Sequence, residues 1–175
     1  MDWYQTVFEL IDMRSFSNLW YWIALAVLWS SASHYVLGVP FDMVLRAKRH
    51  GGPALDDVEA LTRINSNRYL LISNISGLWL LGFASFVITG LGIMGFYYGV
   101  EFSQALFLLL APMSIVGLLT ISAARGIRDQ ELSGDDLIRR LTRHRLHVQF
   151  IGIAAIFFTA MYGMYVNMNV GGLGN

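Results

Sequence analysis

Long apolar segments alternate with two charged segments along this chain. Of the twelve Lys and Arg residues, all except Arg14 lie within 46–68 or 125–145. Each apolar segment holds roughly 20 residues or more, the length that crosses about 30 Å of hydrocarbon as an α-helix. The predicted spans are 19–39, 69–97, 103–124 and 147–166. This pattern predicts an all-α integral membrane protein, a four-transmembrane-helix bundle in which residues 1–175 form a single membrane domain.

The charged segments also predict an orientation. Lys and Arg favour the cytoplasmic side of a membrane, so cytoplasmic loops are predicted at 40–68 and 125–146. An even number of spans then leaves both termini periplasmic, and the chain is expected to be a multi-pass protein of the bacterial inner (cytoplasmic) membrane. The connection at 98–102 carries only Glu101, and the tail at 167–175 is uncharged, in agreement with this orientation.

The N-terminal segment, residues 1–18, has the spacing of an amphipathic helix. Trp3, Val7 and Ile11 recur every four residues, while acidic residues occupy other positions. The spacing predicts a short interfacial helix on the outer membrane surface. Asn18 then offers a cap for the first span.

Both charged segments contain signals for the start of a helix. Pro53 can occupy the first turn of one helix, and Ser133 opens the spacing of a capping box for another, which is predicted to continue into the fourth span. A basic surface close to the headgroups is predicted at Arg139, Arg140 and Arg143. It could anchor the chain by charge alone, or bind an anionic lipid or a partner.

Composition and motifs exclude several classes of protein. Net charge is zero, which disfavours a nucleic-acid partner, and the chain has no Cys, which excludes disulfides and thiolate chemistry. No phosphate-binding loop, no zinc-protease motif and no carboxylate within a span is present. No catalytic residue and no metal site is therefore predicted, and the chain is expected not to be an enzyme.

Within the predicted spans, a set of polar residues falls in the cytoplasmic half, whereas the outer half is mainly apolar side chains and Gly. His34 and Asn74 would each lie roughly 7–8 Å inside the boundary at helical rise, so the two side chains could meet. The predicted intramembrane cluster is Ser30, Ser33, His34, Ser73, Asn74, Ser76 and Thr120. Such residues serve either as hydrogen bonds between helices or as the lining of a pocket for a ligand, an ion or a quinone.

A cofactor site is the sharper form of the same hypothesis. His34 and His147 would both occupy the inner leaflet, where two His side chains on facing helices can ligate haem b. Trp29 and Trp79 lie near mid-span, where they could stack on a haem or a quinone or fill space between helices. With Asn74, these residues are the candidate cofactor-binding positions.

The opening of the chain, MDWYQTVFE at 1–9 followed by IDMRSFSNLWYW at 11–22, resembles a family of small inner-membrane proteins of alphaproteobacteria. The similarity covers most of the chain. Some members are described as components of a SufBCD iron–sulfur assembly complex, a role for which a chain without Cys offers no thiolate ligands. The resemblance therefore implies localisation rather than mechanism.

Three functions follow from these patterns as expectations. The first is a non-catalytic accessory or assembly subunit of a larger inner-membrane complex, with membrane lipids and other membrane subunits as partners. The second is a small b-type haem or quinone-binding electron carrier. The third is a small oligomeric transporter or channel lined by Ser30, Ser33, His34 and Asn74.

Overall fold

The computed structural model describes residues 15–171, with side chains described as far as residue 168. Within that range the chain is almost entirely helical. A 3-10 turn at Ser15–Ser17 and two short strands, β1 (Tyr35–Val36) and β2 (Val39–Pro40), accompany the helices. The α-helices are α1 (Leu19–His34), α2 (Phe41–His50), α3 (Gly52–Gly92), α4 (Glu101–Asp129) and α5 (Gly134–Gly171). The predicted interfacial helix at 1–18 falls largely outside the described residues.

Three helices in the described part of the chain are long and apolar enough to cross a membrane. They are α3 with its π-helical continuation Ile93–Tyr97, α4, and α5. The prediction of an all-α membrane protein is confirmed at this level. All three helices extend beyond the predicted spans into the charged segments: α3 and α5 begin there, and α4 ends there.

The predicted first span, 19–39, is only partly helical. α1 ends at His34 after 16 residues, a length of about 24 Å. Residues 35–40 form an antiparallel hairpin instead, with Leu37 and Gly38 at its turn and φ values of 52° and 73°. Both central residues of a tight hairpin turn adopt positive φ, and Pro40 has no N–H with which to continue a helix. Hydropathy alone could not separate this apolar hairpin from a helix.

The two charged segments are helical rather than loop-like. α3 begins at Gly52 with Pro53 in its first turn and continues without interruption into the membrane-length segment, while α5 begins at Gly134 and does the same. Both predicted helix starts are confirmed. Asn18 caps α1 as predicted, since its side chain accepts a hydrogen bond from the Trp20 N–H at 2.9 Å.

α1 lies antiparallel beside α5. At one end, the Ser17 hydroxyl donates to Asn167 Oδ1 at 2.8 Å, and at the other, Arg145 Nε donates to the Ser33 carbonyl at 3.1 Å. Between them Trp29 packs directly on Gly152. α1 therefore accompanies the whole apolar part of α5, although it is the shorter helix.

The larger hydrophobic core lies at the end of the molecule that carries the charged segments 46–68 and 125–145, which we call the charged side. It joins the hairpin to α2, to the start of α3, to the end of α4 and to the start of α5. A smaller core centred on Leu25 and Trp29 holds α1 against α4 and α5. By contrast, none of the most apolar 18-residue stretch of α3 is buried against the rest of the chain. The charged side thus forms the packed base from which the long helices project.

Candidate functional site

The two histidines of the predicted haem site lie in different surroundings. His34 is exposed, and its Nε2 lies 4.0 Å from an Asp42 carboxylate oxygen. His147 lines a small cavity of about 120 Å³ together with His144, Arg140 and Arg143. This placement gives the haem alternative no support.

The other cofactor candidates also separate. Trp29 is only 4% exposed and fills space against Gly152, whereas Trp79 is 83% exposed on the outer face of α3. Asn74 is exposed as well. The sequence predicted how deep in the membrane each of these residues lies, but it did not predict the direction in which its side chain points.

The predicted intramembrane cluster does not form one site. The Ser33 hydroxyl donates to the Ser30 carbonyl on its own helix at 3.0 Å, and Ser73 and Ser76 are half-buried on the packed side of α3. Two residues of the cluster make a described side-chain contact between helices: His34 with Asp42, and Thr120, whose hydroxyl lies 3.4 Å from His144 Nε2. Among the described residues, no side-chain hydrogen bond joins Ser30, Ser33, His34 and Asn74 across helices.

Two of the three arginines of the predicted basic surface are exposed. Arg139 and Arg143 are exposed, while Arg140 is half-buried, and a Cβ added to Gly126 would lie 3.2 Å from one of its guanidinium nitrogens. Arg140 therefore packs on α4.

His144 is a site residue that sequence reasoning did not assign. It is 6% exposed and lies on the buried stripe of α5 between Leu141 and Val148. With Tyr35, Tyr69 and Thr120 it lines a cavity of about 380 Å³. In the sequence, the alternating spacing of three and four residues from Leu141 to His144 and Val148 is the pattern that could have indicated a buried position for His144.

Arg145 joins three elements where the hairpin begins. Its Nε satisfies the Ser33 carbonyl in the last turn of α1, one of the carbonyls that a helix end leaves without an intrahelical partner. Its guanidinium carbon lies 3.8 Å from the centre of the Phe41 ring, at the start of α2. One side chain of α5 thus fixes the end of α1 and the entry to α2.

We expect Arg145→Lys to destabilise the protein by about 1–3 kcal/mol, because an ammonium group cannot reproduce the planar stacking and the Nε hydrogen bond together. Thermal unfolding of the purified protein in mild detergent measures the change. Arg139→Lys, at an exposed position on the same helix, is the matched control. Equal melting temperatures for the two variants would contradict this role of Arg145.

A larger cavity of about 570 Å³ lies on the charged side, between α3, the end of α4 and the 130–133 connection; we call it the charged-side cavity. At its edge, Glu59 Oε1 accepts a hydrogen bond from the Gly134 N–H at 2.6 Å, which joins α3 to the start of α5. Thr62 and Ser66 are among its lining residues, although both hydroxyl oxygens are buried, and charged residues of both signs also line it. Sequence reasoning missed it because its walls come from segments about 70 positions apart in the chain.

Comparison of the chain with protein-family models, with curated proteins and with solved structures finds no match. The fold itself defines a class, an all-helical protein with helices long and apolar enough to cross a membrane and a packed charged side.

Proposed function

We propose that this protein is a four-span protein of the bacterial inner membrane that acts as a non-catalytic accessory or assembly subunit of a larger membrane complex. The observation that carries the proposal is the outer face of α3. Asn74, Gly82, Ser85 and Thr89 are all exposed, and at 3.6 residues per turn they fall within about a quarter of the helix circumference. We call this set the α3 stripe.

The α3 stripe has the composition of an interface between transmembrane helices. Lipid chains can cover the aromatic residues beside it, but they cannot hydrogen-bond the amide of Asn74 or the hydroxyls of Ser85 and Thr89. A Cβ at Gly82 would meet nothing within 4 Å, so a neighbouring helix could approach closely there. The occupant we propose is a transmembrane helix of another subunit.

The placement of α1 supports a fourth span. α1 is tied to α5 near Asn167 at one end and near Arg145 at the other, so it lies along the apolar part of that helix, and on this ground we count it as a span. With the Lys- and Arg-rich segments in the cytoplasm, four crossings leave both termini in the periplasm. The short α1 is completed at its cytoplasmic end by the apolar hairpin.

Cysteine cross-linking tests the proposed interface, since the chain has no native Cys. A benzophenone–maleimide label on Ser85→Cys is expected to give one adduct of defined mass with a membrane protein that co-purifies in stoichiometric yield. The same label on Phe83→Cys is the control, because Phe83 is also exposed but lies on the other side of the helix.

Two results would contradict the proposed function. Equal adduct formation at both positions would show that the partner does not contact the α3 stripe in preference to the other side of the helix. An adduct at twice the chain mass of 19.7 kDa would assign the α3 stripe to a second copy of this chain.

A further inference from the structure

The cavity of about 380 Å³ beside His144, which we call the His144 cavity, changes from polar to apolar along α4. Thr120, His144 and Tyr69 line its polar end, and Met113 lines its apolar end. Because α4 runs into the charged segment and ends at Asp129, Met113 lies about 10 Å farther from the charged side than Thr120 does. The cavity therefore fits a molecule with a polar end near the charged side and an apolar end deeper in the membrane-length part of the helices.

The lining of the His144 cavity carries no formal charge. Its described residues include no Asp, Glu, Lys or Arg. A phosphate or ammonium group taken from water into such a lining would have no partner of opposite charge, which is costly. An uncharged hydroxyl or carbonyl group loses far less on entry when it gains a hydrogen bond. The lining therefore disfavours phospholipid headgroups and favours an uncharged polar group.

His144 offers a hydrogen-bond acceptor to such a group. The Thr120 hydroxyl donates to the Val116 carbonyl at 2.8 Å, so toward His144 it can only accept. His144 Nε2, 3.4 Å away, therefore carries the proton of the neutral ring. The other ring nitrogen, Nδ1, makes no hydrogen bond with a described residue, although the side chain is only 6% exposed. Because Nδ1 is not among the buried polar atoms that are closed off, a hydroxyl that enters the cavity can donate to it.

Tyr69 supplies a second hydrogen-bonding group, from a different helix. Its hydroxyl forms no hydrogen bond in the described part of the chain. A Cβ at Gly38 would lie 3.7 Å from that hydroxyl oxygen, and both residues line the cavity. The Tyr69 ring is half-buried and packs on the larger core, which limits its movement. His144 on α5 and Tyr69 on α3 thus suit a ligand that carries two polar groups.

Gly117 leaves open space in the α4 wall of the cavity. It lies one turn before Thr120, and a Cβ there would meet nothing within 4 Å. Bare backbone allows a ligand to approach closely. The α4 wall therefore accepts a flat ring.

From the polarity of the cavity, its uncharged lining and the unpartnered Nδ1 of His144, we infer that the His144 cavity binds a lipid-soluble quinol, a flat ring with hydroxyls and an apolar tail. One ring hydroxyl donates to His144 Nδ1, and another hydrogen-bonds the Tyr69 hydroxyl. The tail passes Met113 toward the middle of the membrane. The site shares no lining residue with the charged-side cavity or with the α3 stripe, and it does not depend on the proposed function.

Thermal unfolding of the full chain in detergent, without oxygen, tests the inference with decylubiquinol as the probe. We expect decylubiquinol to raise the melting temperature more than decylubiquinone does, because the oxidised ring has no hydroxyl to donate to Nδ1. His144→Leu should weaken binding of decylubiquinol about tenfold, the order expected for a lost hydrogen bond in a buried site. His147→Leu is the matched control, since His147 lines the small cavity of about 120 Å³ and not the His144 cavity.

Gly117→Leu tests the site by filling it. The new side chain would enter open space at a lining position, so the melting temperature without probe should stay the same or rise, while the shift caused by decylubiquinol is lost. Gly90→Leu is the matched control, because Gly90 is equally open but does not line the cavity. This pair keeps the inference testable if His144→Leu folds poorly.

Four results would overturn the inference. Decylubiquinol could leave the melting temperature unchanged, or decylubiquinone could shift it equally. Monoolein, an uncharged lipid with hydroxyls but no ring, could reproduce the shift at the same concentration, which would assign the cavity to uncharged lipids in general. Finally, the shift could survive in both His144→Leu and Gly117→Leu, which would place the quinol elsewhere on the protein.

Discussion

Gly95→Ala is expected to destabilise the protein by about 3 kcal/mol, at the upper end of the usual cost of overpacking. A Cβ at this buried position would lie 2.9 Å from the backbone nitrogen and 3.1 Å from the Cα of Gln104. Those atoms belong to the first turns of α4 and cannot rotate away as a side chain could. The Gln104 side chain also donates from Nε2 to the Gly95 carbonyl at 2.8 Å, so a shift of either helix breaks this bond as well.

The change is measured by thermal unfolding in detergent and by the yield of folded protein. Gly90→Ala is the matched control on the same helix, because a Cβ there would meet nothing within 4 Å. Alanine has the higher helix propensity by roughly 1 kcal/mol, so the control is expected to be neutral or stabilised. If Gly95→Ala behaves as the control does, the close approach of α3 to α4 is incorrect.

The second large effect is expected for Gly152→Ala, which should cost about 1–3 kcal/mol despite the gain in helix propensity. The Trp29 ring lies against the bare backbone of Gly152, and a Cβ there would be 2.8 Å from Cε3 and 3.2 Å from Cδ2. Trp29 is buried in the smaller core with Leu25 and Val148, so the ring has little room to move. α1 would be pushed away from α5.

A double-mutant cycle isolates this contact. Trp29→Leu removes the obstructing ring, so the double variant with Gly152→Ala should lose less stability than the sum of the two single changes. Gly117→Ala, where a Cβ would meet nothing within 4 Å, controls for the glycine replacement itself. Additive losses would show that Gly152 and Trp29 do not limit the approach of α1 to α5.

Helix type and helix starts could be read from the sequence because both are local properties. An apolar run of spanning length predicts α3, α4 and α5 without reference to the rest of the chain. Pro53 at the start of α3 depends only on its own ring. The predicted first span, 19–39, continued past the end of α1 because Val36, Leu37 and Val39 are as apolar as residues of a helix. In the structure these three residues belong to the hairpin and are buried in the larger core.

The candidate sites could be predicted only in part. The sequence placed Asn74 and Thr120 inside predicted spans, but Thr120 meets His144 across helices and Asn74 faces away from the bundle. The pairing of His34 with Asp42 was missed because the hairpin between them brings α2 back beside the end of α1. Contacts of this kind depend on how each helix is rotated about its axis.

The sequence by itself determined the helical class of this protein, the membrane-length helices and the position of its charged segments, because hydropathy and helix propensity act over neighbouring residues. Only the tertiary structure decided that the charged segments pack into the main core, that Arg145 joins α1 to α2, and that Trp29 packs on Gly152. Those features arise from side chains distant in sequence, and close packing of whole helices fixes which of them meet.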